Sequence, residues 1–201
     1  MKMKRAILGL VCAVAVVGAA PAEASNRFFD PSTGTWQTYK LTTDAASEIA
    51  RKKYQRKMVT YRSNVEPGTI VIDTRRRWLY HVQENGKAMR YGIGVGREGF
   101  TWKGTEKITA KRKWPGWTPP QEMIVRERKN GRNLPSYMPG GPENPLGARA
   151  LYLGNTLYRI HGTNEDWSIG RAVSSGCIRM FNEDVEHLYE QIRVGTKVKV
   201  L

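Results

Sequence analysis

The sequence predicts a mainly β domain with one helix in its C-terminal region and a long Pro/Gly-rich, lid-like excursion. Three observations predict it. Short β-branched and aromatic runs recur from Thr69 onward, hairpin-type turns stand at Asn85-Gly86 and Gly154-Asn155, and helical spacing is sustained only by Val185, Leu188, Tyr189 and Ile192.

Thr69–Ile72 and Arg77–Val82 are expected strands, and Asn85-Gly86 is a turn leading to a third strand over Ala88–Ile93. A second hairpin is expected from Ala150–Leu153, the Gly154-Asn155 turn and Thr156–His161. Alternation along that last strand puts Leu157, Arg159 and His161 on one face and Tyr158 and Ile160 on the other. Gly92-x-Gly94-x-Gly96 lies within a strand pattern and opens no helix, so it reads as a bulged strand and not as a phosphate loop. Asn182 is the expected N-cap of the C-terminal-region helix, with Glu183 and Asp184 complementing its dipole. Gly195 closes that region, and Lys197–Leu201 is expected as a final strand.

Seven of the ten prolines fall between Trp114 and Gly147, around a more regular centre at Gln121–Lys129. A connection this long is ordered for a purpose or disordered, and Trp114, Trp117 and Tyr137 favour an ordered, surface-covering excursion.

The first 24 residues have the three parts of a secretory signal: Lys2, Lys4 and Arg5, an apolar run from Ala6 to Ala20, and Ala22-Glu23-Ala24 as a cleavage site. A lipoprotein reading through Cys12 is disfavoured by Val11, which is large for a lipidation site. The apolar run is short for a membrane span, so a protein released into the periplasm or cell wall is expected, with no transmembrane anchor. Residues 25–65 read as a basic tail or linker whose helical candidate, Asp44–Met58, is either a solvated helix or a polymer-binding arm. Residues 66–201 form the expected folded domain.

Cleavage takes 3 of the 33 basic and 1 of the 18 acidic residues, so the net charge falls from +15 only to +13. Such a balance points to polyanionic surroundings. Export argues against nucleic acid and for anionic envelope polymers or lipid surfaces.

Cleavage also removes Cys12 and leaves Cys177 as the single cysteine, unable to form an intramolecular disulfide. It is either a buried small hydrophobe or a reactive thiol, and a reactive thiol needs a base or a cation beside it. His81 and His187 read as structural or surface residues, whereas His161 ends a strand and is followed by Gly162. Ser174-Ser175-Gly176 would let the backbone approach a ligand closely, and the amides of Gly176 and Cys177 are candidate oxyanion donors. Arg179 either holds a substrate carboxylate or pairs with a structural acid. One mature cysteine and three scattered histidines lack the ligand spacing of a zinc site, so no metal and no cofactor is expected.

The stretch Ile160–Tyr189, "IHGTNEDWSIGRAVSSGCIRMFNEDVEHLY", resembles the signature of the L,D-transpeptidase family, the YkuD-type catalytic domain. "GWTPPQEM" and "GGPENPLGARALYL" are also similar to stretches of that family, and the resemblance extends over about Glu66 to Leu201. It implies a sandwich-like β fold, Cys177 as nucleophile, His161 as its base and the Gly162 carbonyl as the group that orients the imidazole. Ser174, Ser175, Arg179, Trp167 and Tyr137 are the expected substrate-binding residues. Many members carry His where this chain has Ser175, so any part for a second histidine is removed.

The implied reaction is attack on a peptidoglycan tetrapeptide stem, loss of D-Ala, and transfer of the acyl group to another stem as a 3→3 cross-link or to an envelope protein. Water as acceptor would make an L,D-carboxypeptidase. A non-catalytic peptidoglycan-binding protein would need neither His161 nor Cys177, and a papain-like endopeptidase does not match the "GCIRM" context.

Overall fold

A computed structural model describes residues 27–30, 35–38, 42–97, 102–129, 131 and 133–201. The expected signal segment, residues 1–24, lies outside the described residues.

The elements, in order, are β1 (Arg27–Asp30), β2 (Thr35–Thr38), α1 (Thr42–Lys53), β3 (Lys57–Thr60), β4 (Ile70–Asp73), β5 (Trp78–Val82) and β6 (Lys87–Gly92). They continue with β7 (Val95–Gly96), β8 (Gly104–Lys113), α2 (Gln121–Lys129), β9 (Arg149–Leu153), β10 (Arg159–His161) and a 3-10 turn, Asp166–Ser168. Then come β11 (Ala172–Ser174), β12 (Ile178–Arg179), α3 (Asn182–Gln191) and β13 (Lys197–Val200). The hydrogen-bonded order of the main sheet is β12-β10-β9-β8-β13-β4-β5-β6-β3.

β8 belongs to both halves of that sheet. Gly104–Lys107 pair with β13, a register shift follows between Ile108 and Ala110, and the rest of the strand pairs with β9. A bulge bends a strand and raises its twist, so the sheet folds over here into two layers. Ile70, Ile72 and Leu79 of one layer join Leu151, Leu153 and Ile160 of the other in one buried cluster, which Val185 and Leu188 of α3 complete. The domain is a mainly β, sandwich-like structure, as the sequence predicts.

Asn85 and Gly86 both have positive φ, 58° and 66°, which a two-residue hairpin turn demands and Asn-Gly supplies at least cost. Gly154, at φ 55°, begins the second turn, but its strand is shorter than expected and starts at Arg159. The glycine-rich segment is a broken strand: β6 ends at Gly92, Gly94 bridges Arg179, and Val95–Gly96 pair with β11. β8 was not anticipated, because a strand with Ile108 as its one fully buried position carries little hydrophobic alternation.

The excursion is ordered around its own small core of Trp117, Met123 and Leu146, with Leu134 and Met138 against it. Asn144 ties it together, donating to the carbonyls of Met138 and Pro139 and accepting from the Leu146 amide.

Two local expectations need correction. Asn182 is the first residue of α3 and not its cap; its Oδ1 accepts instead from the Ala148 amide at 2.9 Å. Residues 42–60 are no solvated tail either: α1 ends at Lys53, β3 pairs with β6, and Ala50 is buried with Ile169 and Phe181. Arg51 and Lys53 made α1 look solvated, but one side of it is docked.

Candidate active site

β10 and β12 run parallel, with Ile160 opposite Ile178 and His161 opposite Arg179. Ile160 and Ile178 face the core and are 0% and 3% exposed. Alternation therefore turns His161 and Arg179 to the opposite face; Cys177 directly precedes β12, and extending the alternation by one residue carries it toward that face as well. The polarity pattern of "YRIHG" and "GCIRM" encodes this juxtaposition, because each places one isoleucine between two chemically active residues.

His161 is 4% exposed, and its Nδ1 donates to the Gly162 carbonyl at 2.5 Å. That bond fixes the tautomer and leaves Nε2 as the basic nitrogen. Burial, then the Arg179 guanidinium, drive the imidazole down to about 3 despite the favourable Gly162 carbonyl. Cys177 is half-buried, and its Sγ points toward the Leu157 carbonyl at 3.8 Å. Burial pushes its thiol above the ordinary cysteine value, while Arg159 and Arg179 pull it back only in part. The same two guanidinium groups thus act on both His161 and Cys177. At neutral pH the resting site holds an uncharged imidazole and an uncharged thiol, which favours a base taking the proton as the sulfur attacks.

The loop between His161 and Cys177 is held from several sides. Ser174 is 3% exposed; its hydroxyl donates to the Cys177 carbonyl at 2.6 Å and accepts from the Gly176 amide at 3.2 Å. Gly176 has φ 112°, a conformation that explains glycine directly before the cysteine. Its amide, one of the two candidate oxyanion donors, is thereby already engaged by Ser174. The Ser175 Oγ is buried and has no partner among the described residues.

Arg179 is 2% exposed and pairs with fully buried Glu165, so of its two expected roles the structure displays the pairing with an acid. Trp167 is half-buried in the 3-10 turn with the Arg171 guanidinium 5.5 Å over its ring. Tyr137 is 58% exposed, and its hydroxyl lies 2.2 Å from where a Cβ on Gly116 would stand. Among the described residues, no group of three His, Cys, Asp or Glu side chains is placed to hold a metal ion.

Sequence reasoning missed Arg159 and Glu165. Arg159 was legible in principle, since the parity that selects His161 also selects it. Glu165 was not, because nothing local says which arginine it meets.

Several known proteins are similar to this chain. A probable L,D-transpeptidase of Escherichia coli K12, YbiS, is 38% identical over 141 residues, 68% of this chain and 45% of its own length. ErfK/SrfK of the same organism, also a probable L,D-transpeptidase, is 37% identical over 139 residues, 68% of this chain and 44% of its own. The chain thus spans a little under half the length of these relatives. A Brucella melitensis crystal structure, described as a probable carnitine operon oxidoreductase, is 48% identical. It covers 74% of this chain and 94% of its own, with a TM-score of 0.50. An L,D-transpeptidase structure from Mycobacterium smegmatis shares the fold at 18% identity and a TM-score of 0.50, covering 66% of this chain and 58% of its own. The profile of the YkuD L,D-transpeptidase catalytic domain matches residues 67–200, and the chain belongs to that family.

Proposed function

We propose that this protein is an exported, cysteine-dependent L,D-transpeptidase that acts on peptidoglycan tetrapeptide stems. The observation that carries the reading is the parallel pairing of β10 with β12, which sets His161 opposite Arg179, two residues past Cys177, with the imidazole Nδ1 tied to the Gly162 carbonyl. Cys177 Sγ attacks the amide carbonyl between the third residue, a diamino acid, and the terminal D-Ala, while its proton passes to His161 Nε2. The Cys177 amide supports the developing oxyanion. Collapse expels D-Ala, whose amine takes the proton from His161, and a thioester remains. An incoming amine then gives a proton to His161, attacks the thioester and releases the thiol.

The acceptor amine is the side chain of a second stem, which makes a 3→3 cross-link, or belongs to an envelope protein, which anchors that protein to the wall. Residues 1–24 are read as the export signal and 66–201 as the catalytic domain. Among the described residues no helix is long and apolar enough to cross a membrane, and the +13 charge left after removal of residues 1–24 favours retention at an anionic envelope. Ser175, Trp167 and Tyr137 remain the proposed substrate contacts. The glycine-rich segment does not favour an oxidoreductase reading, since Gly92 and Gly96 lie in strands β6 and β7 and Gly94 bridges Arg179, rather than standing at a strand-to-helix turn.

Intact mass of the protein and of Cys177→Ser after incubation with a disaccharide-tetrapeptide, with a parallel assay of free D-Ala, tests the reading. An adduct lacking D-Ala on the unsubstituted protein alone supports it. D-Ala release without a transfer product identifies water as the acceptor, and neither adduct nor D-Ala from folded protein leaves wall binding as the function.

A further inference from the structure

Helix α1 lies outside the residues that match the family profile, yet it touches the chain on both sides of Cys177. Upstream of the cysteine, Arg51 Nε donates to Asp166 Oδ2 at 2.8 Å, and Nη2 contacts the same oxygen. Downstream, Arg51 Nη1 donates to Glu183 Oε1, and its guanidinium lies 5.1 Å from the centre of the Phe181 ring. Arg56, just beyond the helix, adds bonds to Asp184 Oδ1 at 3.1 Å and to the Glu183 carbonyl at 3.2 Å.

Apolar contacts run in parallel with these charges. Ala50, Ile169 and Phe181 form a buried cluster apart from the main core, with Tyr54 packed against it. Gly170 has φ 86°, and a Cβ there would stand 2.1 Å from the Tyr54 ring, so the ring occupies the space that the glycine leaves. Tyr54 also fills the space over Gly92 and meets the Trp78 ring at 5.0 Å between centres. Gly170 in turn donates to the Ile93 carbonyl at 3.0 Å.

The segments gripped in this way are 166–170, before the nucleophile, and 181–184, after it. The second leads into the helix whose Asn182 Oδ1 would lie 2.2 Å from a Cβ on Gly162, the residue that holds His161. We propose that α1 and the turn after it are a positioning element for the reaction centre, in which Arg51 of the helix and Tyr54 of the turn brace both flanks of Cys177 and so keep the thiol in register with His161. The inference rests on the acyl-transfer reading above. Reacting groups held within a near-attack geometry lose up to about 100-fold in rate on a displacement of 1 Å, so a brace of this kind acts on turnover more than on substrate affinity.

The test uses the full mature chain with Tyr54→Ala, Tyr54→Phe, Arg51→Gln and, as a control on the open side of the helix, Ile49→Ala. Turnover of a disaccharide-tetrapeptide, alkylation of Cys177 by iodoacetamide and hydrogen exchange over 162–176 are read for each. Tyr54→Ala and Arg51→Gln are expected to lower kcat by about 10- to 100-fold with KM within about twofold. Both should also change the alkylation rate and speed exchange in the loop. Tyr54→Phe, which keeps the ring over Gly170, should restore kcat, and Ile49→Ala should match the unsubstituted protein. Should Tyr54→Ala unfold the domain, Arg51→Gln, which removes only surface pairs and the ring contact, carries the test.

Folded Arg51→Gln and Tyr54→Ala proteins with unchanged alkylation and loop exchange would overturn the proposal. If the unsubstituted protein turns over no tetrapeptide, the acyl-transfer reading fails by itself, while alkylation and exchange still report on the brace.

Discussion

Arg179 Nη1 stands 2.5 Å from Glu165 Oε2 in a pair that solvent does not reach, the two side chains being 2% and 0% exposed. Arg179 also exchanges two backbone bonds with Gly94, each 2.9 Å, so the pair ties the loop after His161 to the strand after Cys177 and to the glycine-rich bridge.

Removing one member of such a pair leaves a buried charge without its main counter-ion. Glu165→Ala is therefore expected to destabilise the domain by about 3–5 kcal/mol, measured by urea unfolding. The double substitution Glu165→Leu with Arg179→Met should recover much of that loss, because an apolar pair of similar volume leaves no charge to desolvate.

The shifts on Cys177 and His161 have opposite directions and one consequence. With the thiol raised and the imidazole lowered, no thiolate–imidazolium pair forms at rest near neutral pH. The rate of Cys177 alkylation by iodoacetamide should climb continuously with pH above the ordinary cysteine range and show no reactive plateau between pH 5 and 8. His161→Ala should lower D-Ala release by about 10²- to 10⁴-fold at pH 7, the usual weight of a positioned base.

His161 and Asp184 give the stability opposite slopes in acid. The imidazole is lowered to about 3 from the ordinary 6.5 of a free histidine. The unfolded chain then takes the proton first, and stability present above pH 6.5 is lost as pH falls toward 3. Asp184 is raised to about 6 by burial, which Arg56 only partly offsets. The folded state there takes the proton first, so the cost of its charge, present above about pH 6, disappears as pH falls toward 4. Asp184→Asn should therefore raise stability at pH 8 more than at pH 5, by a difference on the order of 1 kcal/mol, and His161→Gln should flatten the acid limb. Urea midpoints across that range check both.

Asn182, the first residue of α3, accepts from the Ala148 amide, and Ala148 is 1% exposed. Asn182→Ala strands that amide and should cost about 1–3 kcal/mol by thermal or urea unfolding. Asn182→Asp keeps an acceptor at the helix N-terminus and should cost less.

Much of the fold was legible because its signals are local. The Asn85-Gly86 turn needs two positive φ values that those residues supply most readily. Ile70, Ile72 and Ile160 are buried where β-branched residues favour strands. The candidate pair was named by the resemblance of Ile160–Tyr189 to the family signature; strand parity assigned a face to His161 alone, and only the pairing of β10 with β12 sets it opposite Arg179, two residues past Cys177. β8 was not, because the strand that bends from one layer into the other has few inward positions. Asn182 misled the reading because its side chain chose an amide far along the chain, at Ala148, over the nearby helix amides.

The sequence by itself determined the class of fold, the two hairpin turns and the ordered excursion, since periodicity, turn chemistry and composition are properties of neighbours, while the family resemblance of Ile160–Tyr189 singled out Cys177 and His161 as the candidate pair. Tertiary structure alone decided that Glu165 neutralises Arg179, that Ser174 engages the Gly176 amide, and that α1 docks across both flanks of Cys177. Each of these depends on which distant groups share a desolvated space. There the cost of burying a charge or a polar group selects a partner that no local pattern names.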